Sequence, residues 1–342
     1  MKATDIKRIF TVSPNRLGDT IFCTPVFRLL KETCPQAKID VVALTQLAAD
    51  VLANNPYIDH VFLHPSMDHI NQIVNFYDLA INIHESPVAR EILNLFSCKL
   101  LTYDIHACSG MHQTDKLLKF FSDNFKYELN KFDAHYDLYP AAVHVERANQ
   151  LLLENNIDAS KDVLIGYQLG CHGLAKKRTR IFNRFAHPKA WPLKNFIKLM
   201  RALKEWNPHV RAVLTGVENE VELGKEFCKK FPDTINLINQ TSVLELMALM
   251  SGLKLVITND TGTLHVACAS ELPVIALFGK KNFVENGPYP ARDDCKVFYQ
   301  PDIADIKVSE VFQAACQLLS PPRSSELLAD LVAEGTENAV HR

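Results

Sequence analysis

The chain has 342 residues, 47% hydrophobic and 22% charged, ordinary globular usage that excludes disordered and fibrous classes and favours two domains over one. A formal net charge of -2 gives no electrostatic reason to expect nucleic acid as the main partner. Nine cysteines (23, 34, 98, 108, 171, 228, 268, 295 and 316) are odd in number and form no CxxC pair. They suit reduced thiols better than a disulfide framework or a zinc ribbon. The N-terminus meets charge and proline too early for a signal peptide, and no run of about 18 apolar residues predicts a membrane span.

In chain order, "IKRIFTVSP" predicts a strand, followed by a turn at 15–19 and a helix over "TIFCTPVFRLLKETCP", whose apolar residues recur at helical spacing. The stretch "KIDVVALT" predicts a second strand, and "QLAADVLANNP" a helix stopped before Pro56. Short strands are expected at "DHVFLHP", "YDLAINIH" and "CKLLTYDI", with loops or helices between them. After a polar stretch, "AAVHVERANQLLLENNI" predicts a helix, and a second alternating series runs from "DVLIGYQLG" to "PVIALFG". Strands alternating with helices imply parallel sheets covered on both faces. The expectation is an α/β chain of two doubly wound, Rossmann-like domains facing a central cleft, at 1–160 and 161–320, with a peripheral helix and tail at 321–342. In such folds ligands bind at the carboxyl ends of the strands.

Three polar segments fall at those ends. In "TNDTGTLHVACASELPVIALFG", Asp260, Thr261, Gly262 and Thr263 occupy the start of a helix, where free N–H groups and the helix dipole suit a phosphate. The plainer alternative is a simple helix cap, and His265 one turn on is equally readable as a packed residue. In "SPNRLGDTIFCTP", Gly18 and Asp19 follow Arg16 at a loop-to-helix junction; Asp19 is either a general base for an acceptor hydroxyl or an N-cap. A single glycine there does not match the GxGxxG fingerprint, which weakens a nicotinamide oxidoreductase. In "GCHGLAKKRTRIFNRFAHPKAWPLKNF", a basic run precedes Lys189 and a Trp-Pro pair. It is either an anion-binding segment or a solvated loop.

Together, "NRLGDTIFCTPVFRLLKETCPQAKIDVVA", "HPKAWPLKNFIKLMRAL", "INQTSVLELMALMSGLKLVITNDTGTLHVACASELPVIALFG" and "NGPYP" closely resemble the heptosyltransferases of lipopolysaccharide core synthesis, glycosyltransferase family nine. The resemblance implies a GT-B fold and an inverting, metal-independent transfer of heptose from ADP-L-glycero-D-manno-heptose to the inner core, with no cofactor beyond that donor substrate. It implies Asp19 as base, Lys189 as diphosphate-binding lysine, and Asp260, Thr261, Gly262, Thr263 and His265 as the donor loop. It further implies Thr215, Gly216 and Glu220 beside the nucleotide ribose, Thr241 and Ser242 near the adenine, and His112 with the acceptor. Arg16 joins the acceptor side. A lipid A-Kdo type acceptor would place the enzyme in the cytoplasm, peripheral at the inner membrane's cytoplasmic face. Alternatives are another nucleotide-sugar or acceptor, or a sugar-nucleotide-binding protein without catalysis.

Two departures stand out. An insertion of 18 residues, 171–188, separates Gly170 from Lys189, and its Arg178 and Arg180 are expected to meet an acidic group of the acceptor. The stretch "FGKKNF" replaces the turn usual in the family and bears on donor choice.

Overall fold

The protein is described here by a computed structural model over residues 3–84, 86–104, 109–158, 160–171, 173–174, 187–280 and 282–320. Arg178, Arg180 and the expected helix and tail at 321–342 lie outside the described residues.

The first half runs β1 (Arg8–Val12), α1 (Leu17–Thr33), β2 (Lys38–Ala43), α2 (Gln46–Leu52), β3 (His60–Leu63), α3 (Met67–Ile73), β4 (Leu79–Asn82), α4 (Pro87–Leu93), β5 (Lys99–Thr102) and α5 (Gln113–Phe125). Then α6 (Ala142–Glu154) leads into β6 (Val163–Gln168), α7 (Leu193–Trp206), β7 (Val210–Thr215), α8 (Val221–Cys228), β8 (Ile235–Asn236), α9 (Val243–Met250) and β9 (Leu255–Asn259). The chain continues through α10 (Gly262–Ala269), β10 (Val274–Phe278), α11 (Phe283–Asn286), β11 (Cys295–Tyr299) and α12 (Val308–Leu319).

The strands form two sheets, ordered β3-β2-β1-β4-β5 and β11-β10-β9-β6-β7-β8, with every pairing parallel. Buried residues run almost continuously along β1, β2, β9 and β10, as expected where helices cover both faces. In each sheet the order reverses at one place: between β1 and β4, and between β6 and β9. Loops leaving such neighbours in opposite directions open a crevice at the strands' carboxyl ends.

Helix α1 begins at Leu17, a turn earlier than its apolar pattern predicted, so Gly18 and Asp19 lie in its first turn rather than at a junction. Pro25 sits inside it and cannot bond the Ile21 carbonyl; the Thr24 hydroxyl takes that carbonyl at 2.8 Å, and the helix continues. Helix α6 packs against α9 of the second half, with Leu152 over Gly252. Strand β11 and helix α12 were not anticipated. The strand is only partly buried and lacks a clear alternation, and α12 lies against α7 on the outer face of the second sheet.

Candidate active site

Around the crevice of the first sheet, the loop after β1 and the loop after β4 line a cavity of about 460 Å³. Pro14, Asn15, Arg16 and Asp19 come from the first loop and the start of α1, Ile83, His84, Ser86 and Pro87 from the second, and Tyr103, Gln113 and Leu117 from β5's end and α5. Asn286 of α11 closes it from the other half of the molecule. Arg16 is the N-cap of α1 with an extended backbone and, among the described residues, no capping side-chain bond. The Asp19 carboxylate keeps contact with solvent in the cleft, yet the surrounding walls displace enough water that desolvation raises its pKa. Arg16 and Lys189 both pull it back down, so one carboxylate feels a cation from each half. His84, on the opposite wall, has its pKa lowered by burial and stands as a neutral imidazole.

At the crevice of the second sheet, the loops after β6 and β9 meet the segment carrying Lys189. Asn259, the last residue of β9 and fully buried, holds them together. Its amide donates to the carbonyls of Gln168, Leu169 and Gly170 at 3.1, 3.2 and 3.0 Å, and its oxygen accepts the Trp191 N–H at 2.9 Å. The Trp191 indole N–H donates to the Ile306 carbonyl at 3.1 Å, and Gly279 leaves room for the Pro188 backbone, which a Cβ would meet at 2.1 Å. Lys189 is thereby held at the cleft, its ammonium 2.6 Å from Asp260. Asn282 donates to the same carboxylate oxygen at 3.2 Å. Asn259→Ala strands several buried polar groups at once and is expected to cost about 3 kcal/mol, measured as a lower urea midpoint at unchanged m.

The N-cap of α10 is Thr261, with no side-chain cap among the described residues, so the plainer reading of this knot as a self-capped helix does not hold. The Leu264 N–H bonds the Thr261 carbonyl at 3.1 Å, which leaves the Gly262 and Thr263 amides for another acceptor. Gly262 packs directly against the first half: a Cβ there would lie 2.5 Å from Leu17 Cδ2. Gly262→Ala therefore pushes on the turn that holds Asp19, with an expected fall in kcat of about tenfold to a hundredfold. Steady-state rates at saturating donor check this, with the urea midpoint as the control for folding.

The other expected site residues are held by contacts within the protein itself. Glu220 is 2% exposed and turned inward; one oxygen accepts the Gln168 amide at 2.5 Å and the other the Val217 N–H at 2.9 Å. It fills the space beside Gly170 and Gly216, where a Cβ would meet its carboxylate at 2.3 Å, and Gly216 has φ +151°. In this arrangement Glu220 braces the loops after β6 and β7, each oxygen accepting one hydrogen bond. Thr215 and Thr263 donate to Gln168 Oε1 at 3.3 and 2.9 Å, completing that buried brace. Ser242 caps α9 in a reciprocal pair with Glu245, and Thr241 precedes it, partly buried.

His265 is 4% exposed, enclosed by Gly18, Phe22 and the Tyr136 hydroxyl 3.4 Å away, and burial takes its pKa down to about 3. It is a neutral packing residue in the seam between α1 and α10. His112 caps α5 through Nδ1, reaches the Gly287 carbonyl with Nε2 at 3.3 Å and stacks on Tyr289; burial lowers it to about 4. Its neighbour Gln113, not His112, lines the cavity beside Asp19. Glu285 strengthens the same seam, accepting from Gly110 N–H and Gln113 and pairing with Lys116 at 3.2 Å.

Asn259, Gln168, Asn282 and Glu285 were missed by sequence reasoning. Asparagine and glutamine beside a strand end carry no local signal that separates a clamp from a surface residue. Only "FGKKNF", as a departure from the family pattern, marked the neighbourhood of Asn282.

The family model for glycosyltransferase family 9 (heptosyltransferase) matches residues 175–313. Lipopolysaccharide heptosyltransferase 2 of Salmonella typhimurium is 24% identical over 304 residues, covering 80% of this chain and 82% of that protein. Among solved structures, a family 9 glycosyl transferase from Veillonella parvula superposes with a TM-score of 0.77 at 20% identity, covering 92% of this chain and 97% of that one. The ADP-heptose lipopolysaccharide heptosyltransferase II of Escherichia coli gives 0.70 at 19% identity, covering 91% and 98%. Two parallel sheets with facing crevices, an acidic residue at one and a lysine beside a helix start at the other, agree with these likenesses: the chain has the GT-B architecture of these solved structures, and its residues 175–313 resemble glycosyltransferase family 9.

Proposed function

We propose that the chain is a lipopolysaccharide heptosyltransferase that moves heptose from an ADP-activated donor to a hydroxyl of the inner core, with inversion and without a metal ion. The observation that carries this reading is Asp19: a carboxylate raised by burial at the edge of a cavity of about 460 Å³, within electrostatic reach of Lys189 from the other half. The acceptor hydroxyl enters that cavity and gives its proton to Asp19 as its oxygen attacks the anomeric carbon. On the far side the bond to the diphosphate breaks, and the charge growing on departing ADP is met by the Lys189 ammonium and the first-turn amides of α10.

The donor's diphosphate competes with Asp260 for Lys189, so the ion pair at 2.6 Å acts as a placeholder that keeps the lysine aimed while the site waits. Because the sole carboxylate of the "NDTG" loop is committed to that lysine, charge compensation by lysine and helix dipole is favoured over a carboxylate-held metal. A lipid A-Kdo type acceptor implies work at the cytoplasmic face of the inner membrane as a peripheral protein. No helix among the described residues is long and apolar enough to cross a membrane.

Incubating the protein with ADP-heptose and a Kdo-bearing lipid A acceptor, with and without EDTA, tests the reading. One added heptose by mass spectrometry, of inverted anomeric configuration by NMR and insensitive to EDTA, is expected. A second reading, the same chemistry with another nucleotide-sugar, is favoured by Asn282, which places an amide of the divergent 279–283 turn on the donor-side Asp260. Transfer from a different donor in a competition of nucleotide-sugars would select it.

A further inference from the structure

Away from both crevices, two thiols lie close enough to influence each other's ionisation: Cys268, 3% exposed near the end of α10, and Cys295, half-buried at the start of β11. Arg292 lies against the second, with Nη2 3.6 Å from the Cys295 sulfur. That guanidinium also donates to the Leu272 carbonyl at 2.7 Å and to Asp294 at 2.9 Å. Its Nη1 is buried with no hydrogen-bond partner among the described residues. Asp294, 3.7 Å from the Cys295 sulfur, is the opposing charge.

The contact with Cys268, followed by Arg292, lowers the Cys295 pKa, whereas burial raises those of the similarly half-buried Cys98, Cys228 and Cys316. A half-open thiol beside a cation and backed by a second thiol is the arrangement that oxidises selectively. The spare N–H of Arg292 suits an oxygen placed on that sulfur.

We propose that Cys295 and Cys268 form an oxidation site, in which a hydroperoxide converts Cys295 to a sulfenic acid and Cys268 resolves it as an intramolecular disulfide. In the first step the Cys295 thiolate attacks the terminal peroxide oxygen; a sulfur–oxygen bond forms, the oxygen–oxygen bond breaks, and the leaving alkoxide takes a proton from water. In the second the Cys268 sulfur attacks Cys295, the sulfur–sulfur bond forms, and the oxygen leaves as water carrying the Cys268 proton. Two thiols and one hydroperoxide thus give a disulfide, an alcohol and water, a two-electron oxidation. The bridge would tie the carboxyl end of α10, whose other end starts the donor site, to the edge strand β11.

The test uses the full, reduced chain treated with hydrogen peroxide and mapped as peptides without reduction. A linked pair containing residues 268 and 295, lost on treatment with dithiothreitol, is expected. In Cys268→Ser, dimedone should label Cys295 about tenfold faster than Cys98, Cys228 or Cys316, and Arg292→Met should remove most of that advantage. Labelling of Cys295 no faster than of those three, or a disulfide joining other cysteines, overturns the proposal. If Cys268→Ser does not fold, the wild-type map decides alone.

Discussion

Asp19→Asn is expected to lower kcat about 10²- to 10⁴-fold while ADP binds as before, because the amide keeps the shape of the carboxylate and loses only its capacity to take the acceptor proton. ADP affinity by calorimetry and turnover under saturating donor separate the two effects; substantial retained turnover removes Asp19 from the role of base. The pH profile gives a second readout. Burial raises the Asp19 pKa while Arg16 and Lys189 pull it down. The active form is the carboxylate, so activity is complete above this raised pKa and is lost as pH falls through it. The acid limb of kcat/KM is therefore expected at higher pH than for an ordinary aspartate. Arg16→Met removes one of the two cations and should move that limb to still higher pH. A limb that does not move shows that Arg16 does not act on Asp19.

Lys189→Ala is expected to weaken ADP binding and to reduce kcat about 10²- to 10³-fold, since its charge acts where the leaving group gains charge. Thermal stability should change little. The lysine side chain is one-third exposed, and ion pairs so open to solvent contribute about 0–1 kcal/mol. Asp260→Asn makes the complementary test: it frees Lys189 from its placeholder, leaving the ammonium unopposed but less firmly aimed. Tighter ADP binding with lower kcat is the expected pattern. Unchanged ADP affinity in Lys189→Ala would place the diphosphate elsewhere.

The local parts of this protein are legible in its amino-acid order alone. Alternating strands and helices follow from apolar periodicity, and the three polar segments are conspicuous because glycine, aspartate and threonine stand between a buried strand and an apolar helix. The residues that place those segments are not legible in the same way. Asn259 binds three carbonyls of a loop some ninety positions earlier in the chain, and Glu285 reaches back to α5 and the residues before it from a still greater separation. Nothing in a short window around an asparagine or a glutamate reports such a partner. His112, His265 and Glu220 are held by packing that no motif records. A motif names them as polar residues near a ligand, while the packing of α1 on α10, the His112–Tyr289 stack and the two glycines around Glu220 bury them.

By itself the sequence determined most of the strands and helices, β11 and α12 excepted, and which loops carry charge, because burial of one face imposes a period that a short window records. Strand order was decided only in three dimensions. β1 lies between β2 and β4, and β6 between β9 and β7, through contacts whose partners are distant in the chain. That order opens one crevice at Asp19 and another at Lys189, and the approach of Gly262 to Leu17 turns the two toward each other. The pairing of Asp19 with Lys189 across the cleft is a property of long-range packing, and sequence periodicity, which encodes only which face is buried, carries no record of what it is buried against.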